Sequence, residues 1–178
     1  MKNLTRFATL FCLIFAFQIV IIAQEQTIIL FRHAEKDTSP AADKKNPNLS
    51  DAGKLRANKL LEILKDYKPQ EIYSTIYNRT RATVTPLAID SYDAFRLQIQ
   101  IYDSAEPETF AKKITASTSR CILVVGHSNT IPSLANILLR ETKYKDLADN
   151  EYNKIWIFKI KKAGKKPYKI KNANVVEY

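Results

Sequence analysis

The chain contains two histidines, His33 and His127, and each stands where a short apolar run gives way to polar residues. Thr27-Ile28-Ile29-Leu30-Phe31 leads into Arg32-His33, and Cys121-Ile122-Leu123-Val124-Val125 leads into Gly126-His127-Ser128. Apolar runs of this length, bounded in this way, are typical of strands buried on both faces. In open α/β sheets, ligands bind beyond the carboxyl ends of the strands, so both imidazoles are expected at one shared site. An imidazole with an unprotonated nitrogen is a nucleophile, and its near-neutral pKa also lets it carry protons. A guanidinium such as that of Arg32 stays charged at any relevant pH and offers paired donors to an oxyanion.

The rest of the chain supplies the elements that must hold these groups. Ser50 is a sound N-cap for a helix from Asp51 to Tyr67, with Leu55, Leu60, Leu61, Ile63 and Leu64 as its buried stripe and Pro69 beyond its end. Glu71–Ser74 reads as a second strand, and Arg79–Ala88 as a helix that Pro86 bends or shortens. Leu97–Tyr102 alternates as a strand, Pro107–Thr115 fits a helix, and a further helix after His127 carries Leu134, Ile137 and Leu138 with Pro132 in its first turn. Lys154–Ile160 and Tyr168–Val176 pair as a hairpin around Gly164-Lys165-Lys166-Pro167. Strands alternating with helices predict an α/β fold, a three-layer α/β/α sandwich with a mostly parallel central sheet. Only three glycines are present, which excludes a glycine-rich nucleotide-binding loop.

With 178 residues, 46% hydrophobic and 26% charged, the composition suits one ordinary globular domain, expected over residues 25–178. Residues 1–24 stand apart: Lys2 and Arg6 precede an apolar run from Phe7 to Ala23, and polar Gln24, Glu25 and Gln26 follow. That layout predicts a secretory signal cleaved after Ala23 or Gln24, or an N-terminal anchor if retained. The domain is accordingly expected to be exported, periplasmic or secreted, with membrane contact only through this segment. Cys12 lies inside it, so the remainder keeps Cys121 alone and has no internal disulfide. The net charge of +10 owes much to Lys159, Lys161, Lys162, Lys165, Lys166, Lys169 and Lys171. With no aromatic-interleaved RNA motif or zinc spacing beside it, this cluster reads as a solvated hairpin face, and nucleic acid is not expected as a partner.

Four motifs occur in order along the chain. Arg32-His33-Ala34-Glu35 comes first, then Asn48-Leu49-Ser50-Asp51-Ala52-Gly53 with Arg56-Ala57. Ser74 with Arg79-Thr80-Arg81-Ala82-Thr83 follows, and Val125-Gly126-His127-Ser128-Asn129-Thr130 closes the series. Together, over essentially residues 27 to 140, they resemble the histidine phosphatase, or phosphoglycerate mutase-like, superfamily. The likeness is to its opening Arg-His-Gly/Ala motif, its Leu-Ser-x-x-Gly helix start, the arginine that begins its second helix, and its closing Gly-His motif.

The resemblance implies that His33 attacks phosphorus in line while Arg32, Arg79 and His127 hold the nonbridging oxygens. A phosphate monoester repels nucleophiles through its own charge, so cations must surround the attacked atom. Neighbouring positive charge would lower the pKa of His33 and keep its nitrogen free, and a covalent phosphohistidine would then pass its phosphoryl to water. The scheme needs no cofactor and no metal. Spacing from Ser74 favours Arg79 over Arg81 for the second arginine, leaving Arg81 at the surface or as a secondary phosphate contact. Asp103 and Glu106 are the candidate proton donors, because the Asp that follows the second histidine in the acid-phosphatase branch is Ser128 here. Lys36 and Asn129 are candidate substrate contacts, and Glu35 orients the loop or pairs at the surface.

The expected function is a phosphomonoesterase acting on a phosphorylated small-molecule or glycan substrate. The alternatives are a phosphoglycerate mutase-type phosphotransferase, a protein-phosphohistidine phosphatase, and a non-catalytic phosphate-binding protein. Export and the short Ala82–Thr109 connection disfavour the mutase. The retained histidines and arginines disfavour loss of turnover.

Overall fold

The structure is a computed structural model that describes residues 24–95, 97–162 and 167–178. Its elements in chain order are β1 (Gln24–Arg32), α1 (Asp51–Leu64), β2 (Glu71–Ser74), α2 (Asn78–Phe95), β3 (Ile99–Ile101), α3 (Pro107–Ala116), β4 (Cys121–Gly126), α4 (Thr130–Leu139), β5 (Lys154–Lys162) and β6 (Lys169–Glu177). A single 3-10 turn, Lys65–Tyr67, finishes α1. The strands form one sheet in the order β3-β2-β4-β1-β5-β6. Neighbours from β3 to β1 are parallel, and β5 and β6 continue the sheet antiparallel.

The central strands explain the layering. Side chains alternate between faces along a strand, and here both faces are apolar. Ile28, Leu30, Ile122 and Val124 pack against Phe110 and Ile114 of α3 and Ile131, Leu134 and Leu138 of α4. Ile29, Phe31, Leu123 and Val125 pack on the other face against Leu60 and Leu64 of α1 and Val84 and Leu87 of α2. A strand buried on both sides needs helices on both sides, which gives three layers. Trp156 lies in the first of these cores.

Two details differ from expectation. The helix begun at Asn78 runs on through Pro86 to Phe95. A proline in a helix interior costs about 3 kcal/mol, but Val84 and Leu87 are fully buried around it. Each such side chain contributes about 1.5–3 kcal/mol, so burial keeps the helix intact. Leu55 lies outside the α1 stripe, 72% exposed. The buried face is Gly53, Ala57, Leu60 and Leu64, whose spacings of three and four leave Leu55 on the opposite side. The expected leader, apart from Gln24, and the hairpin turn over residues 163–166 lie outside the described residues. Among the described residues no helix is long and apolar enough to cross a membrane.

What positions the site is the register of β1 on β4, which sets Arg32 opposite Gly126. His33 and His127 therefore leave adjacent strands at the same edge, and the His33 amide donates to the Gly126 carbonyl at 2.9 Å. The loop after β1 is tied to the start of α1: the Ser50 amide donates to the Glu35 carbonyl at 3.0 Å, and Ser50 Oγ caps the Gly53 amide at 3.1 Å. Gly53 has no alternative there, because a Cβ would collide with the Glu35 carbonyl oxygen.

Candidate active site

His33 is 4% exposed, and two contacts fix its tautomer. Nδ1 lies 2.7 Å from the Ala34 carbonyl oxygen, a group that only accepts, so Nδ1 carries the proton. Arg79 Nε donates to His33 Nε2 at 3.3 Å, and an arginine only donates, so Nε2 presents a lone pair. The ring is held with its bare nitrogen toward Arg79. Its surroundings are held by Thr83, whose Oγ1 accepts from the Ala34 amide at 2.9 Å and donates to the Arg79 carbonyl at 2.7 Å.

The second ring is set by the same logic. Arg79 Nη2 donates to His127 Nδ1 at 3.4 Å, leaving Nε2 to donate to Thr75 Oγ1 at 3.0 Å. Thr75 in turn bonds Thr80 Oγ1 at 2.8 Å, and Thr80 donates to the Tyr77 carbonyl at 2.8 Å. The His127 amide bonds Thr130 Oγ1 at 2.9 Å, and Gly126 leaves room for that hydroxyl, since a Cβ would sit 2.7 Å from it. The two ring centroids are 5.4 Å apart. One guanidinium thus touches the bare nitrogens of both imidazoles.

Arg32 is 5% exposed and anchored from behind. Its Nη1 donates to the carbonyls of Ala148 at 2.7 Å and Glu151 at 3.0 Å, and the Tyr152 ring covers it at 4.1 Å. Glu151 stiffens this turn by accepting from the Ala148 amide at 2.7 Å and pairing with Lys154 at 2.6 Å. Arg32 Nε is buried with no protein partner. A buried donor without a partner is costly, and a bound oxyanion would satisfy it. Tyr77 does for Arg79 what Tyr152 does for Arg32, lying 4.4 Å from its guanidinium and edge-on to His127 at 5.2 Å.

The remaining sequence candidates separate. Asp103 lines a cleft of 400 Å³ together with Thr75 and Tyr77, both of which touch His127. Glu106 is not part of that cleft; it lines a smaller hollow with Asp103, Thr109 and Lys113 and caps α3 without a side-chain bond. Asp103 Oδ1 accepts from the Ala105 amide at 2.8 Å. Among the described residues no carboxylate hydrogen-bonds to Arg32, His33, Arg79 or His127. Glu35 is engaged by Arg56 Nε and Nη2 at 2.7–2.9 Å, which makes it a loop brace. Lys36 is exposed, its backbone bridged to Leu49. Asn129 is exposed at the head of α4 and forms no side-chain cap bond. Arg81 is exposed and lines a groove between α2 and β3.

Sequence reasoning missed Thr75, Thr80, Thr83, Tyr77, Tyr152 and the Ala148–Glu151 turn. The one available signal was the crowd of threonines opening α2. Threonine is a poor helix former, so its hydroxyls there needed another use.

Burial is the main reason both rings resist protonation. It lowers the pKa of His33 to about 3, helped by the charges of His127, Arg79 and Arg32 and opposed by the Ala34 hydrogen bond. It lowers that of His127 to about 4, helped by Arg79 and Arg32. Both imidazoles therefore stay neutral in the free protein. Unfolded rings would bind protons below about pH 6.5, so acid destabilises the fold as pH falls from that value toward the folded pKa values. With only two histidines in the chain, the check is direct: nitrogen-edited NMR of the free protein should show no imidazole titration between about pH 8 and about pH 5. A midpoint near the ordinary value in either ring would contradict the geometry.

Among the described residues no group of His, Cys, Asp and Glu side chains could hold a metal ion. Residues 28–101, which include Arg32, His33 and Arg79, match the profile of the histidine phosphatase superfamily, branch 1. A search of curated proteins finds no match. Solved structures with a similar fold include a mutant phosphoserine phosphatase from Entamoeba histolytica bound to phosphoserine, at 14% identity and TM-score 0.60, covering 84% of this chain and 96% of that one. The mycobacterial glucosyl-3-phosphoglycerate phosphatase is similar at 12% identity and TM-score 0.59, covering 83% of this chain and 98% of that one. The protein histidine phosphatase SixA, complexed with tungstate, is similar at 14% identity and TM-score 0.58, covering 83% of this chain and 96% of that one. Identities this low speak for the fold alone. The chain thus shares its fold with these phosphatases, and its segment 28–101 is similar to the histidine phosphatase superfamily profile.

Proposed function

We propose that the protein is a phosphomonoesterase that works through a phosphohistidine at His33. One observation carries this: the Arg79 guanidinium bridges His33 Nε2 at 3.3 Å and His127 Nδ1 at 3.4 Å, beside the unpartnered Nε of Arg32. A tetrahedral dianion entering there takes over the Arg79 donors that now face the two ring nitrogens and gives Arg32 Nε a partner. The lone pair of His33 Nε2 forms the N–P bond as the ester P–O bond breaks, and the departing oxygen takes a proton from the Asp103 carboxyl. Water then forms a P–O bond as the N–P bond breaks, returning its proton to Asp103 and releasing phosphate. Arg32, Arg79 and a protonated His127 bind the equatorial oxygens, where charge accumulates. The incoming phosphate, not the free site, supplies the charge that lets His127 hold a proton.

Asp103 is preferred over Glu106 as the donor because it borders the cleft next to His127. Export of the domain, with a phosphorylated small molecule or a glycan phosphate as substrate, is part of the proposal. It is supported by the leader-like segment before Gln24. The test is hydrolysis of a chromogenic aryl phosphate, with an alkyl phosphate in parallel. Asp103→Asn should cost the alkyl ester about 10²-fold in kcat and leave the aryl ester, whose leaving group needs no proton, little changed. Equal losses on both esters would remove Asp103 from that role, and no hydrolysis of either by the native chain would refute the proposal.

A further inference from the structure

We infer that the natural substrate carries an apolar organic group on its leaving oxygen. The phosphatase chemistry proposed above is taken as given. The surface beside the site is unusually apolar: Ile76 is 66%, Ile89 67% and Ile101 48% exposed. Exposed isoleucines gathered in one place mark a surface that meets something. A groove of 690 Å³ runs between Ala88 and Ile89 of α2 and Ile99 and Ile101 of β3, and β3 is the edge strand of the sheet. The groove shares Ile76 and Ile101 with the 400 Å³ cleft that Thr75, Tyr77 and Asp103 also line. It is thus continuous with the phosphate site, because Thr75 bonds His127 and Tyr77 packs on both His127 and Arg79.

Stereochemistry sets the direction. The strand order β3-β2-β4-β1 lays the residues at the carboxyl ends in sequence across the edge: His33 after β1, His127 after β4, Thr75 after β2 and Asp103 after β3. In an in-line displacement the leaving oxygen departs opposite the attacking nitrogen. From His33 that path leads past His127 toward the cleft at β2 and β3, where Asp103 stands. Whatever the leaving oxygen bears then continues between α2 and β3. From Arg81 to Ile89 the helix wall extends for about 12 Å at the usual rise per residue, enough for a medium-length alkyl chain or a fused ring system. Pockets of this kind, mostly apolar with a few converging polar groups at one end, suit such ligands.

The experiment uses the full chain and the series ethyl, butyl, hexyl and octyl phosphate, with a small aryl phosphate as reference. Full burial of a methylene is worth about fourfold in binding. The groove is open on one side, so kcat/KM should rise about twofold per methylene. In Ile89→Asn and Ile101→Asn, both at exposed positions that tolerate the change, the slope should flatten. The same series as phosphonates, titrated calorimetrically, reads binding without turnover. If the aryl phosphate is hydrolysed but the alkyl series is flat, or the slope survives both substitutions, the apolar-substrate inference is overturned and the phosphatase stands. If no ester is turned over while octylphosphonate still binds more tightly than ethylphosphonate, the groove stands and the phosphatase proposal falls.

Discussion

His33→Ala should lower kcat for a chromogenic aryl phosphate by about 10⁴-fold or more, the scale on which loss of a covalent nucleophile is felt. Nothing else at the site can take over. His127 has its Nε2 engaged by Thr75 and its Nδ1 by Arg79, and Cys121, the free cysteine among the described residues, is buried with its thiol pKa pushed up to about 12. The loss should appear in kcat and spare phosphate binding, because Arg32, Arg79 and His127 remain. A competing phosphate analogue such as vanadate should therefore still bind the variant. A small drop in kcat would mean that water attacks phosphorus directly and that His33 merely lines the pocket.

Arg79→Ala comes next in size, with an expected loss of about 10²–10³-fold. Its guanidinium hydrogen-bonds to both imidazoles, and Tyr77 lies against it. Arg79→Lys should recover little, because an ammonium is a point charge and cannot span two acceptors as the planar fork does. A second readout separates this from simple loosening. The charge of Arg79 contributes to lowering both histidine pKa values, so both rings should titrate at higher pH in Arg79→Ala. Full activity in Arg79→Lys would reduce the role of Arg79 to bulk charge.

Much of the fold was legible because the signals were local. The runs 27–31 and 121–125 could only be doubly buried strands, and Ser50 marked the start of α1 by its chemistry. Pro86 misled because a propensity cost is weighed without the burial of Val84 and Leu87 that exceeds it. Leu55 misled because a leucine count ignores helical angle. For the site, the strand ends pointed to His33 and His127 and the family resemblance added Arg32 and Arg79; the structure sets the two rings beside each other with Arg79 between them. Tyr152 and the Ala148–Glu151 turn were not, since their contact with Arg32 spans more than a hundred residues and leaves no local pattern. Asp103 stood only slightly ahead of Glu106 from sequence, because both follow β3, and the cleft shared with Thr75 and Tyr77 widens the difference.

The covalent intermediate offers the most direct test. The full chain, mixed with an aryl phosphate and quenched in alkali, where phosphohistidine survives and acyl phosphates do not, should carry one phosphoryl group on the peptide containing His33, assigned by phosphorus NMR to Nε2. Steady turnover with no phosphoryl on that peptide, or with the label on His127, would contradict the mechanism.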